Sequence, residues 1–117
     1  MRFMIVSCMW LLSVAAPSAA VTPVGQRVYE GEEAAAIRCA NMMALTGVTL
    51  HRAGMMSRAE KEILLGISFL ILDRHVSGNW TEKKRAMEVM RDRRSLDETL
   101  EDYQRNAPRC LERFSIN

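Results

Sequence analysis

Two cysteines, Cys39 and Cys110, constrain this chain's fold most tightly, because a bond between them must bring the first half onto the last ten residues. The third cysteine, Cys8, lies in a segment of a different kind. Arg2 supplies a short positive start, and Phe3 to Ala16 form an apolar run broken only by Ser7 and Ser13. Pro17 follows, and Ser18-Ala19-Ala20 places small side chains where a signal peptidase reads. Residues 1–20 therefore read as a secretory signal peptide cut between Ala20 and Val21. A membrane anchor is the lesser reading, since an apolar run of about fourteen residues is short for a bilayer that needs roughly twenty. Cys8 sits inside the run and reads as one of its hydrophobes, discarded with it.

Export would carry the two remaining cysteines into an oxidising compartment, periplasmic in a bacterium and otherwise secreted, where an even count reads as a disulfide. The bond would close a loop of about 72 residues, which the chain-entropy model values at roughly 4 kcal/mol. That is a large share of a net stability of about 5–15 kcal/mol. A redox pair would sit two residues apart, and a zinc site would need further Cys or His nearby. Neither pattern is present.

Removing residues 1–20 from a chain of 117 leaves 97, enough for one domain with a modest core and too few for two domains or a barrel. Arg2 is the only charge removed, so 15 of the 16 Lys and Arg face 14 Asp and Glu, a net of +1. With aromatics at 6%, nothing in this composition indicates a nucleic-acid binder.

Residues 21–27, with Pro23 and Gly25, read as a flexible mature N-terminus, and residues 28–117 read as a single helical domain. Ile37, Ala40, Ala44 and Val48 form one apolar stripe of a first helix, with Glu30, Glu32 and Glu33 at its positive end. Gly47 predicts a kink or local break in it, and Gly54 its stop, with Met55 closing over the last turn. Ser57 and Glu60 form a capping-box pattern. The helix it opens carries Ile63, Leu64, Leu65, Ile67, Phe69, Leu70, Ile71 and Leu72 around nearly its whole circumference, the pattern of a central helix. Gly66 would admit a close neighbour. Its apolar stretch of ten residues is too short to span a bilayer.

Ser77-Gly78-Asn79 predicts a turn, and Thr81 a cap for a third helix over 82–93 with Ala86, Met87, Val89 and Met90 inward. Ser95 and Glu98 predict a second capping box, opening a fourth helix with Leu96, Leu100, Tyr103 and Ala107. Pro108 predicts the end of that helix or the start of a short last one carrying Cys110, Leu111 and Phe114. The chain thus reads as all-α, a small four-to-five-helix bundle stapled by one disulfide.

No catalytic set is visible in the sequence. His51 and His75 lack a carboxylate at a spacing that could orient either ring, which leaves both as surface or helix-end residues. Glycine-rich phosphate loops are absent. The acidic pairs Glu32–Glu33, Asp97–Glu98 and Glu101–Asp102 lie in the first halves of predicted helices, where the helix dipole accounts for them. A small carboxylate-based hydrolase is therefore the weaker alternative. Lys83, Lys84, Arg85, Arg91, Arg93 and Arg94 crowd the third helix, but acidic residues are interleaved and the next helix is acidic. That arrangement predicts cross-helix pairing over an anion-binding surface. Asn79-Trp80-Thr81 is formally a glycosylation acceptor, with Trp80 expected to anchor the turn onto the bundle.

The methionines are the least ordinary feature. Met42, Met55 and Met56 are candidates for an adaptable partner-binding surface, while Met43, Met87 and Met90 fall in phase with core stripes. A second use is soft-metal binding, with Met42, Met43, Met55 and Met56 and His51 as Cu(I) ligands. The leading expectation is a small exported, non-enzymatic helical protein that binds a protein partner. Inhibitor, immunity and chaperone roles all stay open. It implies no cofactor, no nucleic acid and no stable membrane insertion after signal cleavage.

Overall fold

The computed structural model describes residues 27–117, so the proposed signal peptide, Cys8 and most of the 21–27 segment lie outside the described residues. Four helices follow one another: α1 (Gly31–Arg52), α2 (Arg58–His75), α3 (Trp80–Arg93) and α4 (Leu96–Arg113). There is no strand among the described residues. The all-helical expectation holds, with four elements.

The central helix is α1, which corrects the assignment of that role to α2. Each of α2, α3 and α4 packs against α1. Ala36, Ile37, Cys39, Ala40, Asn41, Met42, Met43, Thr46 and Gly47 are buried along α1, around most of its circumference, whereas α2 buries only Leu64, Ser68, Ile71 and Leu72. The cause is the covalent constraint. Cys39 lies in the middle of α1 and meets Cys110 of α4 at disulfide distance, with Cα atoms 5.8 Å apart. The staple commits one side of α1 to α4, and its short loop to α2 commits another. The core joins the α1 set to Leu64, Ile71, Leu72, Val76, Cys110 and Phe114.

The two glycines exchange their expected roles. Gly47 does not interrupt α1; the helix runs through it. A Cβ there would lie 3.2 Å from Leu64 Cβ, so the missing side chain lets α1 and α2 approach. Gly66 of α2 has no atom within 4 Å of where its Cβ would stand.

Termini follow local chemistry. α1 closes in a Schellman motif: Gly54 adopts φ +72°, its N–H donates to His51 O at 3.0 Å, and the Met55 N–H donates to Leu50 O at 2.8 Å. The Met55 side chain, however, remains exposed. Ser57 and Ser95 cap α2 and α4, each accepting the N–H three residues on, at 3.1 Å, without the reciprocal half of a box. The full box belongs to α3, and its cap is Asn79, not Thr81: Asn79 accepts from Glu82 N–H, and the Glu82 carboxylate accepts from Asn79 N–H. α4 continues through Pro108 to Arg113, because the ring lies on the exposed side and costs one intrahelical bond.

The acidic first turn of α1 serves as a clasp. Glu33 accepts the Ser77 N–H at 2.6 Å and the Ser77 hydroxyl at 2.7 Å, and Tyr29 donates to Ser77 O at 2.7 Å. Glu32 pairs with Arg113 at the far end of α4. The bonds from Ser77 hold the Glu33 carboxyl below its ordinary range. At the same end of α2, His75 Nε2 lies 2.7 Å from Ser115 O, with its ring edge-on to Phe114 at 5.5 Å. The segments entering and leaving the bundle are therefore both tied to the α2–α3 corner.

Candidate functional site

The sequence candidates do not converge on one surface. Met42 and Met43 are 2% and 1% exposed, in the core between α1 and its neighbours. Met56 is half-buried against that core, and Met55 projects into solvent. His51, in the last turn of α1, has its Nδ1 3.0 Å from Met56 O. Hence Met55, Met56 and His51 share one end of the bundle, while Met42 and Met43 point into its middle. The patch expected from Met42, Met55 and Met56 together is not formed, because the α1 face carrying Met42 is covered.

The acidic pairs likewise separate. Asp102 is the only buried carboxylate among the described residues. Arg38 Nε donates to Asp102 Oδ2 at 3.0 Å, Asn106 Nδ2 donates to Oδ1 at 2.6 Å, and Arg94 stands 3.7 Å away. Burial pushes this carboxyl up, but the bonds from Arg38 and Asn106 and the two positive charges outweigh it, and its pKa lies below the ordinary value. A carboxylate held ionised in this way lacks the raised pKa that protonating a glycosidic oxygen requires. It lines a cleft of about 330 Å³ between α1 and α4, together with Arg38, Arg109, Arg113, Met42 and the cysteine pair. Among the described residues no group of three or more His, Cys, Asp and Glu side chains is arranged to hold a metal ion.

The expected pairing of α3 with α4 is confined to one contact, Arg94 with Asp102. Arg85 pairs with Glu88 and Arg91 with Asp92 within α3 itself. Both helices lie on α1 instead of on each other, which leaves Lys84, Arg85, Arg91 and Arg93 of α3 in solvent, whereas Lys83 is buried.

The least satisfied surface is the outward side of α2. Ile63 is 62% exposed, Phe69 51%, and Leu65 lies at the exposed limit. Phe69 stacks on Trp80, with ring centroids 4.6 Å apart and planes at 17°, and Lys83 Nζ lies 5.3 Å from the Trp80 ring. Trp80 is itself 38% exposed, so the stack forms a shelf on the surface and does not anchor the turn into the core. Leu65, Phe69, Leu72, Trp80 and Lys84 line an open groove of about 510 Å³ between α2 and α3. A helix apolar on all sides belongs in an interior. Here only the side facing α1 is covered.

The signal that could have located this surface was arithmetical. A four-helix chain has just three neighbours to place around any one helix, and once all three gather on α1, where the staple holds α4, none is left for the outward side of α2.

No helix among the described residues is long and apolar enough to cross a membrane. No protein-family model, no curated protein and no solved structure matches the chain.

Proposed function

We propose that the chain is an exported, disulfide-stapled helical protein that acts by binding another protein through the outward side of α2, without catalysis of its own. One observation carries this reading: Ile63, Leu65 and Phe69, continued by Trp80, leave large apolar side chains in solvent on a helix whose sequence is that of an interior element. Exposed apolar patches rimmed by polar residues mark interaction sites, and Glu62, Asp73 and Lys84 supply the rim. Aromatic residues such as Trp80 and Phe69 are the residue types that dominate binding energies when covered. The signal-like residues 1–20 and the paired cysteines support export.

The test is a photocrosslinking amino acid placed at position 63 or 69 of the full-length chain, expressed in a host that exports it. Adducts to protein are expected from both positions and not from position 92, on the outer side of α3. Irradiation that yields no protein adduct at 63 or 69 overturns the reading.

A further inference from the structure

We propose that the cleft between α1 and α4 is a binding site for a small organic monocarboxylate with an apolar body. It lies away from the outward side of α2 and does not depend on what that side binds.

The cleft joins an apolar floor to a cationic rim. Ala35, Met42, Phe114 and the Cys39–Cys110 pair form the floor. Met42 and Phe114 are 2% and 4% exposed, so the floor is the core itself. A volume of about 330 Å³ holds roughly ten non-hydrogen atoms, at the roughly 30 Å³ that each water takes in the liquid. Ligand sites are of this kind: apolar walls bind the body, and a few placed polar groups orient the head. Met42 suits such a wall, because its unbranched thioether adapts to the shape laid against it.

The rim selects the head. Arg38, Arg109 and Arg113 stand against Asp102, a balance of +2, and Glu32, the partner of Arg113, reduces it to +1. That sum matches a carboxylate better than a doubly charged phosphate. Both Asp102 oxygens already accept, from Arg38 Nε and Asn106 Nδ2, which leaves a cationic ligand no unpaired carboxylate in the cleft. Arg109 has no ion-pair partner among the described residues. It follows Asp102 by seven residues, so it lies on nearly the same line of α4, about 10 Å further along and clear of that carboxylate. Glu101 and Glu112 stand nine residues before and two after Cys110. Both therefore come out roughly opposite the side of α4 that meets α1. Arg38 adds its terminal nitrogens, since its bond to Asp102 uses Nε. A guanidinium offers a carboxylate two parallel N–H donors, and no other cation matches that fork.

The experiment is calorimetric titration of octanoate into protein purified after export of the full-length chain. The expected result is saturable one-to-one binding. Arg109→Glu, at an exposed position and with an unchanged circular-dichroism melt, should weaken it about five- to tenfold. Arg85→Glu, the same charge reversal on α3, should leave it unchanged. Acetate, a head without a body, should bind at least about tenfold more weakly, since each buried CH₂ is worth about 0.8 kcal/mol. Octyltrimethylammonium, a body with the wrong charge, should show no saturable binding. Octanoate should also slow reduction of the Cys39–Cys110 pair by dithiothreitol in the wild type, and do so less in Arg109→Glu at the same concentration. Three results overturn the proposal: no saturable binding up to millimolar octanoate, binding indifferent to Arg109→Glu, or octyltrimethylammonium bound as tightly as octanoate. Binding lost in Phe69→Ala but kept in Arg109→Glu would assign octanoate to the groove between α2 and α3, and also overturns it.

Discussion

Gly47 of α1 lies directly against Leu64 of α2: a Cβ added at position 47 would stand 3.2 Å from Leu64 Cβ and 3.6 Å from the Lys61 carbonyl oxygen. Leu64 Cβ is fixed by its own backbone, so it can give way only if α2 shifts. Gly47→Val should therefore destabilise the fold by about 1–3 kcal/mol, the usual cost of overpacking. In Gly47→Ala the gain in helix propensity of about 1 kcal/mol offsets part of a smaller clash. Gly66→Ala, with open space around it, should stabilise the folded monomer by about 0.5–1 kcal/mol. Urea unfolding of the three variants checks the ordering, and a stabilised Gly47→Val would contradict the packing.

The pairing of Cys39 with Cys110 joins positions 71 apart. Closing so long a loop in the unfolded chain should contribute roughly 4 kcal/mol by the chain-entropy model. The double variant Cys39→Ala/Cys110→Ala should therefore melt well below the wild type. Addition of a thiol reductant should bring the wild type down towards it and leave the variant unmoved. A melting point insensitive to reductant would show that the bond is not formed.

Much of the fold was legible because it rests on local chemistry. Ser57, Ser95 and Gly54 mark helix ends through hydrogen bonds that involve only neighbours in sequence, and these ends appear where expected. The cysteine pairing was legible because only two cysteines remain after residue 20. What could not be read was the order of burial among the helices. The large apolar side chains crowd α2 between Ile63 and Leu72, yet small residues (Ala36, Ala40 and Gly47) let α1 be approached from several sides, while the staple fixes which side meets α4. The same gap hid the candidate site, because an apolar residue such as Phe69 looks the same in sequence whether a neighbour covers it or not. Met42 shows the converse: its phase gave no clear inward direction, and tertiary packing buried it.

Asp102 predicts an acid-sensitive step. Its folded pKa is depressed, so its contribution to stability is present above the unfolded value of about 3.9 and is lost as pH falls through the lower folded value. Between neutrality and about pH 5 the contribution should be constant, and it should decline only below about pH 4. Asp102→Asn should cost about 1–3 kcal/mol at pH 7, since Arg38 and Arg94 lose a charged acceptor while Arg38 keeps partial access to water. The variant should also lose part of the acid-range slope. Denaturant midpoints measured from pH 7 to pH 3 for both proteins test this, and parallel profiles would remove Asp102 as the titrating group.

Phe69 and Ile71 stand two residues apart on α2 and should respond oppositely to truncation. Ile71 is fully buried, and Ile71→Ala should cost about 2–5 kcal/mol through lost burial and the cavity left behind. Phe69 is half exposed and touches Trp80 in an open stack, so Phe69→Ala should cost only about 0.5–1.5 kcal/mol. Trp80 supplies a second readout, because it is the only tryptophan after residue 20. Its emission should move to longer wavelength when Phe69 is truncated, and scarcely move in Ile71→Ala at temperatures where that variant remains folded. A large loss of stability in Phe69→Ala would mean that the outward side of α2 is already covered within the monomer, and no surface would remain there for a partner.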